Sequence, residues 1–261
     1  MSNWWDKQIQ RADELVERSN GSNVLMTFYA QLLRSQKAIY DYLLCRQGSL
    51  SSGELERDEL LLLDGLTPLL DIVHTYGPEA LAAEAKSLLE SPEILADVLK
   101  DYWNSPCDVQ FFGKACLQPY LKWLVDTGVK PQRGKTSTSE RQCPFCSGTP
   151  QVSFLQHKET TGEGGNRSLI CGSCLNSWEF RRVVCANCGE ERPPRLAYFQ
   201  SLEFDHIRIE ACDSCKHYIK GIDLTRLGHA VPLVDEIYAA PLDLWAADHG
   251  YTKIELNLVG I

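Results

Sequence analysis

The chain has 261 residues, 44% of them hydrophobic, which is ordinary for a soluble globular protein and sufficient for one large domain or a medium one with small modules. With 26 basic against 35 acidic residues the formal charge is −9, and neither residues 1–140 (14 against 20) nor residues 141–261 (12 against 15) hold the Lys/Arg excess that nucleic-acid phosphates demand. No run of eighteen apolar residues occurs and the start lacks a basic, then apolar, leader; the expectation is no membrane insertion and a cytoplasmic protein, where clustered cysteines mean metal more often than disulfides.

In chain order, helical periodicity predicts five amphipathic helices over roughly 3–19, 22–47, 54–75, 77–101 and 108–127, which would share a core as a bundle-like domain over residues 1–128. Leu25, Phe28, Tyr29, Leu32, Leu33, Ile39, Tyr40 and Leu43 give the second its stripe, interrupted at Gln36. Gly48-Ser49 reads as a stop, and Tyr76-Gly77-Pro78 as a break. Residues 129–142 have no apolar period and read as a linker.

Beyond the linker the period changes to two. Strands are expected at 151–155 and 166–170 around a turn at 161–165, and a third at 178–184. The pattern then repeats at 195–200, 206–210 and 217–222. The tail, 227–261, is helical but interrupted at Pro241, which predicts two short helices or one kinked one.

Four Cys-x-x-Cys pairs punctuate the strand region: Cys143/Cys146, Cys171/Cys174, Cys185/Cys188 and Cys212/Cys215. One such pair is a weak signal, but eight thiols in four knuckles supply two tetrahedral sulfur shells. The segments 143–174 and 185–215 are nearly equal in length, as in a duplicated unit, which favours pairing the first knuckle with the second and the third with the fourth. Cross-braced and nested pairings stay open. Each unit reads as a rubredoxin-like or zinc-ribbon module, the first over 143–184 and the second over 185–226. Modules of this size need a staple, so the metals are expected to be structural. Iron and zinc both accept four sulfurs. Arg181, Arg182, Arg192, Arg195, Lys216 and Lys220 are expected to offset the charge of the thiolates.

Cys45, Cys107 and Cys116 lie outside the knuckles and read as buried small hydrophobes. No phosphate loop, nucleophile elbow or metalloprotease helix is present, the six histidines are scattered, and carboxylates such as the run 54–59 read as solvated helix faces. No catalytic constellation emerges, and the chain is read as a non-enzyme.

The stretches Arg141-Gln142-Cys143-Pro144-Phe145-Cys146, Ser168-Leu169-Ile170-Cys171-Gly172-Ser173-Cys174, Val183-Val184-Cys185-Ala186-Asn187-Cys188-Gly189 and Ala211-Cys212-Asp213-Ser214-Cys215, with Pro241-Leu242-Asp243-Leu244-Trp245-Ala246-Ala247, resemble the FdhE family of formate dehydrogenase accessory proteins. The first knuckle departs from the family by placing Ser147 before Gly148, and the last by placing Lys216 after Cys215, where glycine would ease a φ > 0 turn. The resemblance implies an α+β multidomain chain: an all-α bundle-like domain, two tandem rubredoxin-like modules and a helical tail. It also implies two metal ions, each in a four-cysteine site, iron foremost, and a maturation chaperone whose partner is the catalytic subunit of formate dehydrogenase. Trp178, Arg181, Arg182, Tyr198 and Phe199 are the aromatic and arginine residues expected at such an interface. A rubredoxin-like electron carrier is the alternative, and a zinc-ribbon nucleic-acid module a lesser one.

Overall fold

The computed structural model describes residues 4–19, 21–46, 52–107, 109–133, 139–157 and 165–261. The expected stop at Gly48-Ser49, the centre of the linker (134–138) and most of the turn at 161–165 lie outside these residues. The chain divides into two compact units, Met1–Thr136 with Leu258–Gly260 and Ser137–Asn257 with Ile261.

The first unit is helical: α1 (Trp4–Arg18), α2 (Val24–Cys45), α3 (Leu55–Tyr76), α4 (Glu79–Glu90), α5 (Pro92–Asn104) and α6 (Phe111–Thr127). Asn23 caps α2, its side-chain oxygen accepting from the Met26 N–H at 3.0 Å, a contact worth about 1 kcal/mol. The single helix expected over 77–101 is two. Pro92 opens α5, and its ring forces Ser91 out of the helical region to φ −140° and ψ 83°. The apolar period runs on across this break, which is why periodicity alone hid it.

Helix α6 is buried at every position from Phe112 to Leu124. The interruption at Gln36 in the α2 stripe has its reason here: its amide donates to the Ala115 carbonyl at 2.9 Å and to Gln118 at 3.1 Å on α6. A polar residue thus fits an apolar stripe because its amide N–H groups are paired, although its side-chain oxygen has no hydrogen-bond partner among the described residues. Gly113 lets α5 and α6 touch, since a Cβ there would collide with the Cβ of Tyr102. Asp58, read from sequence as a solvated charge, is instead 3% exposed and accepts from the Tyr120 hydroxyl at 2.6 Å.

The second unit is built on one seven-stranded sheet with the path β3-β2-β1-β6-β5-β4: β1 (Pro150–Gln156), β2 (Asn166–Cys171), β3 (Ser177–Glu179), β4 (Leu196–Gln200), β5 (Ile207–Cys212), β6 (His217–Asp223), with β7 (Thr252–Lys253) beside β6. The strands of each cysteine repeat pair antiparallel among themselves. The two repeats are then joined by β1 and β6, which run parallel with Val152 opposite Lys220 and Phe154 opposite Ile222. The strand expected over 178–184 is shorter than its apolar run. It ends at Glu179, and residues 181–183 turn exposed toward the next knuckle. Leu169, Phe180, Val184, Ala186 and Ile219 form a core that crosses from one repeat to the other, with Trp178 and Ile254 packed against it.

The tail folds as α7 (Pro232–Tyr238) and α8 (Ala240–Asp248), each with proline in its first turn, where the missing N–H costs nothing. Helix α7 packs on β1 and β6. Among the described residues no helix is long and apolar enough to cross a membrane.

Candidate metal centres

Each Cys-x-x-Cys pair sits in a tight turn beside a strand. The N–H of the residue after the second cysteine donates to the carbonyl of the first: Ser147 to Cys143 (2.9 Å), Leu175 to Cys171 (3.2 Å), Gly189 to Cys185 (3.0 Å) and Lys216 to Cys212 (2.8 Å). Closing the turn this way puts those four residues in the left-handed region, at φ 62°, 59°, 79° and 58°. Only one of the four is glycine. Ser147 and Lys216, noted as departures from the family pattern, therefore carry the backbone conformation that glycine would relieve.

The turns bring the sulfurs together as two groups, Cys143 with Cys146, Cys171 and Cys174, and Cys185 with Cys188, Cys212 and Cys215, all within 4.8 Å of one another in each group. Knuckle one pairs with two, and three with four, as the repeat lengths favour. In the first group Cys143 and Cys174 are 3.5 Å apart, as are Cys146 and Cys171. In the second, Cys185–Cys215 and Cys188–Cys212 are both 3.7 Å. A disulfide needs about 2.05 Å. A tetrahedron of sulfurs with metal bonds of about 2.3 Å has edges of about 3.8 Å. The donor set and spacing fit a four-coordinate, thiolate-bound metal.

Amide groups point at the sulfurs. Ser173 N–H meets Cys171 Sγ at 3.4 Å, and the N–H groups of Asn187 and Cys188 both meet Cys185 Sγ at 3.4 Å. The Asn176 side chain reaches Cys143 at 3.7 Å, and in the second group the Asn187 side chain, from inside its own knuckle, reaches Cys215 at 3.6 Å. Burial pushes the Cys215 thiol up, but the Asn187 side chain and the His217 backbone N–H outweigh it and bring it down to about 7. The charged residues expected to serve the sulfurs are mostly engaged elsewhere. Arg181 pairs with Glu140 (2.6 Å) and Glu191 (2.7 Å), Arg192 with Glu190 (2.6 Å) and Lys216 with Asp213 (2.5 Å). The hydrogen bonds described to the sulfurs come from N–H groups rather than from these cations.

Over 97% of its length the chain is 32% identical to an FdhE homolog from Aquifex aeolicus, covering 94% of that protein. The chain belongs to the FdhE family. The model of the FdhE C-terminal domain matches residues 183–259. An FdhE homolog from Pseudomonas aeruginosa is 32% identical over 58% of this chain and 49% of its own length. The crystal structure of the FdhE protein from Pseudomonas aeruginosa superposes with a TM-score of 0.66, covering 99% of this chain and 97% of that one at 24% identity, so the fold is shared.

Other residues of this FdhE-family chain partly meet expectation and partly depart from it. Trp178 packs on the sheet core and donates to the Glu140 carbonyl at 3.0 Å. Tyr198 is exposed, and Phe199 is half-buried against Trp245, 4.7 Å between ring centres. Of the three cysteines outside the knuckles only Cys116 is buried, with burial pushing its thiol up to about 12; Cys45, at the end of α2, and Cys107, between α5 and α6, are exposed.

Sequence reasoning missed a buried charge cluster. Lys220, on β6, bonds Asp243 and the Glu236 carbonyl and lies 3.1 Å from the Glu236 carboxylate. Lys253 bonds Glu236 and lies 3.2 Å from Asp243. All four side chains are 7% exposed or less. Burial pushes the Glu236 carboxyl up, but Lys220 and Lys253 outweigh it and hold it near 2. The trace in the sequence is a pair of carboxylates, Asp235 and Glu236, set between the apolar Leu233-Val234 and Ile237.

Proposed function

We propose that the two cysteine groups bind two metal ions, iron foremost, with Cys143, Cys146, Cys171 and Cys174 holding one and Cys185, Cys188, Cys212 and Cys215 the other. The chain then acts in the cytoplasm as a non-catalytic accessory protein in formate dehydrogenase maturation, engaging the catalytic subunit of that enzyme. The observation that carries this reading is the pair of near-tetrahedral sulfur groups in a chain of the FdhE family. Each metal ties a turn before one strand to a turn after another, a staple worth on the order of 10 kcal/mol in a small module. Residues 143–184 and 185–226 are the two metal modules of this scheme, and the helical unit and tail complete the scaffold.

Anaerobic affinity purification from the native host, grown on formate and followed by mass spectrometry, tests the partner. Enrichment of a formate dehydrogenase catalytic subunit, lost in the Cys143→Ser, Cys185→Ser variant, is the expected result. A metal-replete preparation that enriches no such subunit overturns the accessory role and leaves the metal sites standing.

A further inference from the structure

We infer that the two centres are unequal: the second is the exchangeable one, open to an incoming thiol or chelator beside Cys188, while the first is a permanent staple. This rests on the reading that both groups bind metal.

The difference lies in what covers the sulfurs. The four cysteines of the first group are buried, at 1%, 7%, 0% and 0% exposure for Cys143, Cys146, Cys171 and Cys174. Two of its turns are tightly packed within the second unit itself. Thr149 donates to the Glu255 carboxylate, and the Glu255 side chain lies over Gly172 so closely that a Cβ there would stand 2.6 Å from Glu255 Cγ. A Cβ at Gly148 would stand 2.8 Å from the sulfur of Cys171. Three of the four cysteines stand at 1% exposure or less and Cys146 at 7%, so an incoming ligand meets packed turns on this side.

The second group has the same bonds and a thinner cover. Cys188 is exposed and Cys215 half-buried, whereas Cys185 and Cys212 are buried. At Gly189, directly after Cys188, an added Cβ would find nothing nearer than the Arg141 side chain at 3.6 Å. The rim is charged and polar: Glu190 holds Arg192 and accepts from Ser214 at 2.6 Å. Water and small solutes therefore reach one edge of the sulfur tetrahedron without unfolding.

The chemistry this permits is ligand substitution at a metal held by four thiolates. An incoming thiol binds the metal through sulfur and passes its proton to the departing Cys188 sulfur. One metal–sulfur bond forms and one breaks, with no change in valence. Cys185, Cys212 and Cys215 keep the ion in place while this happens, so exchange does not require the sheet to open. The buried first group has no such edge, and its metal leaves only when its turns unfold.

The test uses the full metal-loaded chain under anaerobic conditions, with bound metal counted first. EDTA is then added and metal release followed, while timed iodoacetamide pulses and peptide mass spectrometry locate the freed thiols. One of two equivalents is expected to leave at least tenfold faster than the other, with Cys188 and Cys215 alkylated before any of Cys143, Cys146, Cys171 and Cys174. The Cys188→Ser variant is expected to lose the fast equivalent and keep the slow one unchanged. If that variant does not fold, the alkylation order in the unaltered chain decides. Two equivalents that leave in a single phase, or earlier alkylation of the first group, overturn the inference alone. A chain that binds no metal overturns the metal reading and this inference with it.

Discussion

Replacing Lys220 by methionine removes one of two cations that face two buried carboxylates. Glu236 and Asp243 would then share Lys253 alone, inside a site where no member is more than 7% exposed. Leaving an uncompensated charge in such a place costs about 3–5 kcal/mol, a large part of a typical domain's 5–15 kcal/mol. The carbonyls of Glu236 and Ala239, which Lys220 also faces, lose a donor. At about 1.4 kcal/mol per tenfold, the change should speed hydrogen exchange that proceeds by opening of the second unit by about a thousandfold. The assay is exchange mass spectrometry on the metal-loaded protein, reading peptides from β6 and α7, with α2 as the internal reference. Adding Glu236→Gln to Lys220→Met restores neutrality and should recover more than half of the loss, the coupling expected of two groups in contact. Acceleration below tenfold, or a double variant no better than the single one, would show that charge pairing does not hold these elements together.

Four further outcomes are expected. Gly189→Ala should destabilise the second unit by about 1 kcal/mol, because a φ of 79° penalises any Cβ even where space is open; the thermal midpoint of the metal-loaded protein measures it. The folded Glu236 carboxyl sits near 2, below its ordinary value of 4.5, so the unfolded chain takes up its proton first. Stability from this group is then complete above about pH 4.5 and lost as pH falls toward 2, and the acid limb of urea midpoints should flatten in Glu236→Gln. In the native protein Cys45 and Cys107 should react with an alkylating reagent while Cys116, buried and held near 12, should not, as peptide mapping will show. Exhaustive removal of metal should abolish exchange protection in β1 to β6 while α2 and α6 remain protected.

The sequence displayed what is periodic and local. Knuckle spacing announced both sulfur groups and favoured their pairing, and strand alternation located five strands to within two residues at either end. What escaped it depends on contacts distant along the chain. The helix break at Ser91-Pro92 is the local exception, hidden because the apolar period continues across the proline that starts a second helix. Asp58 sits in a charged run, and its burial rests on the hydroxyls of Ser52 and of Tyr120, the latter 62 positions later. Lys220, Glu236, Asp243 and Lys253 come from β6, α7, α8 and β7, and no local pattern links them. The arginines near the knuckles were legible as charges, but not their partners Glu140 and Glu191.

The parallel pairing of β1 with β6 bears on how the protein is made. Strand β1 belongs to the first cysteine repeat, yet its neighbour on one side is the last long strand of the second. A nascent chain emerging from the ribosome presents all four cysteines of the first group before β6 exists. During that interval β1 has an unpaired edge, open to any extended segment that can add to it. Loading the first ion early would lock together the two turns at the open end of the β1–β2 hairpin, where Pro150 lies opposite Cys171, and keep that edge in register for β6. Under the proposed metal binding, the order in which the two sites fill would be coupled to the order in which the strands are synthesised, and scarcity of metal during translation would expose the half-built sheet to mispairing.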